Sequence, residues 1–226
     1  MKGIYLMGVT AVAAFALPAL VAVLSYLLGC INGAIATSHL FYHDDVRRHG
    51  SGNAGLTNFY RNYGAKCAPM VIAFDMLKAV GAVLLGNYFL GYLLGWGAAG
   101  KYFGALFCVI GHMFPVFYGF KGGKGVLVAG GAILAIQPIL LPVLTVVFLL
   151  CLVPTGMVSL GSIAMAASYP VLTLIYGLLK GFAADDLIVC VVGAAIMGGM
   201  VIWMHRANIQ RIREGKEYRF GKHNKK

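Results

Sequence analysis

Residues 126–153 read VLVAGGAILAIQPILLPVLTVVFLLCLV, and none of them is charged. A helix needs about 20 apolar residues to cross a bilayer, so this run is too long for one crossing and short for two. Gln137, Pro138 and Pro142 interrupt it near the middle. Proline removes a backbone donor and clashes with the preceding turn, so the run is predicted to fold as a tight hairpin of two short helices. The alternative, one merged helix, would leave six helices in the chain and put both termini on one side.

The pattern continues on both sides of this run. Upstream, residues 102–119 form an apolar span ending in His112, Pro115 and Gly119. Residues 67–98 form another, whose only charges are Asp75 and Lys78, with a turn marked by Gly91, Gly95 and Gly97. Residues 4–36 hold no charge. They are too long for a cleaved signal peptide, only Lys2 precedes them, and polar residues arrive only near Asn32, so they read as a retained span. The stretch from His39 to Lys66 reads as a substantial polar loop. Downstream, Pro154 to Gly156 turn the chain into a span over 157–179, Lys180 to Asp186 turn it again, and 187–204 is the last span. The predicted fold is all-α: one polytopic membrane domain over 1–226 with about seven transmembrane helices.

Composition agrees. Hydrophobic residues make up 60% of the chain and charged ones 11%, against about 45–50% and about 25% in soluble domains. Disorder, a secreted disulfide scaffold and a typical cytosolic enzyme are excluded. Glycine, 31 of 226 residues, suits helices that pack closely in lipid. Cys30, Cys67, Cys108, Cys151 and Cys190 are widely spaced with no metal-ligand pattern and read as packing thiols. No metal or cofactor is expected.

The net charge of +11 sits at segment ends, which points to anionic lipid or an anionic substrate rather than nucleic acid. With the N-terminus outside, segments 39–66, 120–125 and 205–226 carry fourteen Lys and Arg, and the opposite side carries three. Basic residues favour the cytoplasm, so the C-terminus and all three segments are expected there. Every unusual polar cluster then lies on one face of the membrane.

The first cluster is SGNAGLTNFYR at 51–61, preceded by Gly50. Its glycines allow close backbone approach. Ser51, Asn53, Thr57 and Asn58 supply hydrogen-bonding groups, and Arg61 offers a planar fork for phosphate. The same residue types would equally make a helix-capping loop. The second cluster is KGGKG at 121–125, directly before an apolar helix. Gly122, Gly123 and Gly125 leave N–H groups at a helix N-terminus, an anion site helped by Lys121 and Lys124. It is not a Walker A loop, because the spacing fails and Gly125 replaces the hydroxyl residue. A positive anchor with a glycine turn is the alternative, but two adjacent glycines between lysines exceed what anchoring requires, which favours the anion site. The third cluster is HRANIQR at 205–211. His205 and Asn208 share one helical face, with Arg211 one turn on. Lipid attraction accounts for Lys222, Lys225 and Lys226 but does not require His205 or Asn208. Asp75 and Lys78, three apart in an apolar run, can satisfy each other, and His112 can bond a backbone carbonyl.

Taken in this order, the clusters resemble the bacterial acyl-phosphate:glycerol-3-phosphate acyltransferase family, known as PlsY. The likeness rests on 51–61, on GHMFPVF (111–117) with FKGGKGV (120–126), on 205–211 with Gly215 and Glu217, and on the Asp75–Lys78 pair, and it covers nearly the whole chain. It implies an integral enzyme of the bacterial cell membrane, working in phospholipid synthesis. The implied reaction moves a fatty acyl group from acyl phosphate to the sn-1 hydroxyl of glycerol 3-phosphate, giving lysophosphatidic acid and phosphate. It implies catalytic roles for Ser51, Arg61, Lys124, His205 and Asn208, a substrate contact at Ser159 or Ser162, and a structural role for Glu217. By the same likeness, Gly52, Asn53, Thr57, Asn58, Lys121, Gly122, Gly123 and Gly125 fall in substrate-binding segments. One departure concerns Leu127 and Val128, which stand where the family usually carries a small residue and then a hydroxyl residue. Leu56 also replaces a usually smaller residue.

The residues suit this chemistry. Both substrates carry phosphate, one is water-soluble and the other has a fatty chain, so a cationic site at the membrane boundary can meet both. Either His205 or the acyl phosphate itself can take the proton. The rival from another class is an organic-phosphate or anion transporter, which would hold its site near the bilayer midplane between inverted repeats.

Overall fold

The computed structural model describes residues 2–220; Lys222, Lys225 and Lys226 lie outside the described residues. Ten α-helices follow in order: α1 (Lys2–Cys30), α2 (Gly33–Tyr42), α3 (Leu56–Tyr63), α4 (Ala68–Gly86), α5 (Ala98–Met113), α6 (Val126–Ile136), α7 (Leu140–Thr155), α8 (Val158–Lys180), α9 (Ala184–Met204) and α10 (Arg206–Arg213). Five stretches are long and apolar enough to cross a membrane, namely Ala13–Cys30 of α1, α4 with its continuation to Tyr92, α5 with its continuation to Tyr118, α8 and α9, and α6 and α7 are shorter apolar helices.

The run at 126–153 folds as two helices. Gln137 ends α6, and Pro142 falls in the first turn of α7, where a missing N–H breaks no intrahelical bond. Within the turn Gln137 is buried, at 4% exposed, and its Oε1 accepts from the Thr173 hydroxyl of α8 at 3.3 Å, while Pro138 and Ile139 are exposed.

Around α5 the helices touch backbone to backbone. A Cβ on Gly29 would strike the Cys108 carbonyl, and one on Gly111 would strike the Tyr26 carbonyl, so α1 and α5 interlock reciprocally. Gly86 meets the Gly100 carbonyl and Gly104 meets the Ala82 carbonyl in the same way between α4 and α5. In lipid, helix association depends on such contact, because the tails are as apolar as the side chains they would displace. Pro170 in α8 leaves the Ala166 carbonyl without its helical donor, and Gly198 of α9 packs directly against that oxygen. The core closes on these contacts, with Ala105, Val109 and Met113 of α5 buried with Val128 and Ala132 of α6 and Met197 and Val201 of α9. All five cysteines are free thiols, and Cys30, Cys67, Cys108 and Cys190 are buried.

Three expectations need correction. The apolar stretch 4–36 is not one helix, because α1 stops at Cys30 and α2 starts at Gly33. Lys78 is the cause: its ammonium donates to the Gly29 carbonyl at 3.1 Å and to the Ile31 carbonyl at 2.7 Å. Asp75 accepts from the Gly33 N–H at 3.0 Å and pairs with Lys78 at 2.9 Å, while Asn32 caps α2 through the Ile35 N–H. The ion pair therefore stabilises a chain break, a structural use of intramembrane charge. His112 bonds this pair rather than a carbonyl, its Nδ1 accepting from Lys78 at 3.0 Å. The third correction concerns 39–66, which is not all loop: α2 runs to Tyr42, and α3 follows at Leu56.

Candidate active site

The three polar segments meet at one end of the bundle. Arg47 donates to the Tyr118 carbonyl at 2.8 Å, Asn32 Nδ2 to the Ala54 carbonyl at 3.1 Å, and the Ala54 N–H to the Gly122 carbonyl at 3.4 Å. The chain after α10 folds back to the α7–α8 turn, where the Phe220 N–H donates to the Gly156 carbonyl at 2.7 Å. These ties enclose a cavity of about 790 Å³.

Glu217 organises its polar end. Oε1 accepts from Asn208 Nδ2 at 2.7 Å and from the Ser159 hydroxyl at 2.8 Å, and Oε2 accepts from Arg211 Nε at 2.8 Å. Burial alone would raise this carboxyl, but those donors outweigh it and hold it below its usual range. With Nδ2 committed to Glu217, Asn208 turns Oδ1 to the Lys124 ammonium, which donates to it. Burial, with Arg211 and Arg61 nearby, draws Lys124 down to about 8 against the pull of Glu217. His205 sits at the α9–α10 junction, 3% exposed, with Nδ1 2.7 Å from the Val201 carbonyl. A carbonyl only accepts, so Nδ1 carries the proton and the neutral ring presents Nε2 as a lone pair. Burial is the main cause that brings His205 to about 4, and the Lys124 charge adds to it. Burial likewise lowers Arg61.

Ser51, Asn53, Thr57, Asn58, Arg61, Lys124, Gly125, Ser159, Ser162, His205 and Asn208 all line the cavity. Asn58 does so with its amide already spent. Nδ2 donates to the Val46 and His49 carbonyls, and Oδ1 accepts from the Ser51 N–H, each at 3.0 Å. Its work is to hold Ser51 in place. Both serines are on the wall, but Ser162 donates back to the Val158 carbonyl while Ser159 joins the Glu217 network.

Gly52, Lys121, Gly122 and Gly123 do not line the cavity. The expectation that the 122–123 N–H groups stand free does not hold, because Gly122 donates to the Met113 carbonyl at 3.2 Å and Gly123 to the His112 carbonyl at 3.1 Å. A Cβ on either would collide with the end of α5, so these glycines serve close approach. Gly125, at φ +80°, precedes α6, and no side chain caps that helix. Its first-turn N–H groups form a positive helix end beside the cavity-lining Gly125, Val126 and Leu127.

Below the polar end the cavity becomes apolar. Leu127 and Gly130 of α6, Leu141, Thr145 and Phe148 of α7, Met76 of α4, and Val158 and Met165 of α8 line this arm. Leu141, Thr145 and Phe148 share a face by their spacing, yet the same spacing occurs on lipid-facing sides, so the sequence held no signal for them. Tyr218 was also missed; it lines the polar end from the returning C-terminal segment. Apart from Thr145 in the arm, and Asp75 and His112, which also reach the wall, the polar groups of the cavity gather at one end of the helices, whereas a transporter would hold its site near the midplane.

Residues 19–215 match the model of the glycerol-3-phosphate acyltransferase family. The chain belongs to that family. It is similar to the glycerol-3-phosphate acyltransferases of Finegoldia magna, 37% identical over 88% of this chain and 94% of that one, and of Listeria monocytogenes, 39% identical over the same shares. Among solved structures it resembles PlsY, an integral membrane glycerol 3-phosphate acyltransferase, in its glycerol 3-phosphate form. There the TM-score is 0.74 and the identity 33%, over 90% of this chain and 96% of that one. The lysophosphatidic acid form of PlsY matches at the same TM-score with 32% identity. An acyltransferase of this family has to bring a polar acceptor and a lipid chain together, and the cavity joins a cationic end to an apolar arm.

Proposed function

We propose that the protein transfers a fatty acyl group from acyl phosphate to the sn-1 hydroxyl of glycerol 3-phosphate, releasing lysophosphatidic acid and phosphate. The observation that carries this reading is the continuity of the cationic end with the apolar arm in a single cavity. The acyl chain occupies the arm between α6 and α7, which sets the acyl phosphate headgroup against Lys124 and the first turn of α6. Glycerol 3-phosphate occupies the remaining polar end, with its phosphate on Arg61 and Ser51.

The hydroxyl oxygen attacks the acyl carbonyl carbon, and a tetrahedral intermediate forms. The carbon–oxygen bond to phosphate then breaks, and the electron pair leaves with the phosphate. Lys124 and the α6 N-terminus stabilise the oxyanion and the departing charge. No covalent enzyme intermediate is required, since the acyl donor is already activated. His205 Nε2 accepts the hydroxyl hydrogen bond and orients the oxygen. A ring drawn to about 4 is a weaker proton sink than a phosphate whose second pKa is about 6. The proton therefore ends on the leaving phosphate.

The segments that build the site carry the excess of basic residues, which supports placing the site at the cytoplasmic face, with the N-terminus outside and seven crossings. Purified enzyme given both substrates should yield lysophosphatidic acid and phosphate in equal amounts; phosphate release without acyl product would defeat the reaction. A Lys121→Cys enzyme that reacts with impermeant reagent from outside intact cells would reverse the orientation.

A further inference from the structure

Arg61 is held in an unusual way for a cavity cation. None of the ion pairs among the described residues includes it. Its Nε is shielded and has no hydrogen-bond partner. Its guanidinium carbon lies 3.5 Å from the ring centroid of Tyr218. The nearby carboxylate, Glu217, is already engaged by Ser159, Asn208 and Arg211. An aromatic face fixes the plane of a guanidinium without neutralising it, whereas a carboxylate would compete with phosphate for the same fork.

Tyr218 is itself placed by neighbours. Its ring meets Phe220 edge-on at 5.8 Å, and Phe220 lies 5.7 Å from Tyr60, one residue before Arg61. The Phe220 N–H is tied to the Gly156 carbonyl. The returning segment thus reaches from α10 to the α7–α8 turn and sets one ring over one guanidinium.

We propose that Tyr218 is a positioning residue. Its ring orients the Arg61 guanidinium for the phosphate of glycerol 3-phosphate while leaving the full positive charge available to that phosphate. The inference rests on Arg61 binding phosphate in the proposed reaction.

The test is steady-state kinetics of the full-length enzyme in detergent, with thermal unfolding as the check on fold. Tyr218→Leu should raise KM for glycerol 3-phosphate on the order of tenfold, the scale of a lost cation–π contact, with kcat little changed. Tyr218→Phe keeps the ring and should bring KM back toward the wild-type value. A folded Tyr218→Leu enzyme with unchanged KM overturns the proposal, as does a Phe variant as impaired as the Leu variant. If Tyr218→Leu does not fold, Gly156→Ala carries the test. A Cβ there would stand 3.0 Å from the Phe220 carbonyl oxygen at a φ of +73°, which displaces the returning segment from outside the cavity. A raised KM supports the inference and an unchanged one overturns it. Arg61→Lys separates the two levels: an unchanged KM in that variant removes Arg61 from phosphate binding and the inference with it, whereas a raised KM there beside an unchanged one in Tyr218→Leu defeats the Tyr218 inference alone.

Discussion

The α1–α4–α5 layer and the α6–α7 hairpin draw on the same small and apolar residues and pack in opposite ways. In the layer, Gly29, Gly86, Gly104 and Gly111 bring backbones into contact, so no space is left between helices. In the hairpin, α6 rests mainly on α4 and α7 on α8, and the two helices touch each other little. A Cβ on Gly130 of α6 would meet only Leu141 Cδ1 of α7, at 3.9 Å. Glycine is a means of contact in the first region and at Gly131 of α6, where a Cβ would strike the Met76 carbonyl of α4, but Gly130 on the α7 side leaves empty volume. The locked layer supplies a frame stiff enough to fix the polar end, and the splayed hairpin supplies room for a chain.

The sharpest way to break that comparison is to add one side chain inside the layer and a matched one on an open helix face outside both regions. Gly104→Leu must push α4 off α5, since its Cβ already overlaps the Ala82 carbonyl. Overpacking costs about 1–3 kcal/mol where the surroundings can relax, and backbone cannot relax as a side chain does. A loss at or above that range is expected, read as a lower unfolding temperature in detergent. Gly199→Leu on α9, where nothing lies within 4 Å, is the matched change that should cost little. Equal losses in the two variants would mean that backbone contact is not what holds the layer.

How much of this could be read from the sequence follows the same division. Spans and turns were legible because bilayer thickness and proline impose them, and the split at Gln137 and Pro138 followed from both. The break after Cys30 was not, since residues 4–36 look continuous and the side chains that interrupt them sit on another helix, Lys78 as a donor and Asp75 as an acceptor. His205 and Asn208 stood out as polar groups that lipid contact does not need, and Arg61 and Lys124 as cations set among glycines and hydrogen-bonding residues. Gly122 and Gly123 were found, but their purpose was misread, because a glycine beside lysines looks the same whether its N–H is free or bonded to Met113 and His112. Tyr218 gave no sign of its partner, which lies in another segment of the chain.

The second prediction sharpens the account of the open region. Gly130→Leu should fold normally, because its side chain enters the apolar arm rather than a neighbouring backbone. It should discriminate against long acyl chains. A lost methylene contact is worth about 1–3 kcal/mol, so kcat/KM for a long-chain acyl phosphate should fall roughly tenfold while a short-chain donor is spared. Comparing donors of two chain lengths on one preparation gives the answer without reference to absolute activity. Equal losses for both donors would place the acyl chain elsewhere.

The smallest expected effect separates the two titrating groups at the polar end, which the frame holds but neither region owns. Lys124 is drawn to about 8 and His205 to about 4. Both are lowered, so each favours its neutral form more than it would in water, and the consequences differ because their roles differ. Lys124 acts only when charged. The profile of kcat/KM, which reports the free enzyme, should therefore decline as pH rises through about 8. Lys124→Arg should push that limb out of range at reduced turnover, since an arginine stays charged to above about 12. His205 acts only when neutral, and it is neutral at every pH well above about 4. A decline on the acid side near pH 6 then belongs to substrate phosphate, whose second pKa lies at about 6. His205→Gln should lower the rate through a lost hydrogen bond and leave that acid limb where it was. Measured on folded enzyme at saturating donor, a His205→Gln profile that has lost its acid limb would move the proton from the leaving phosphate to His205.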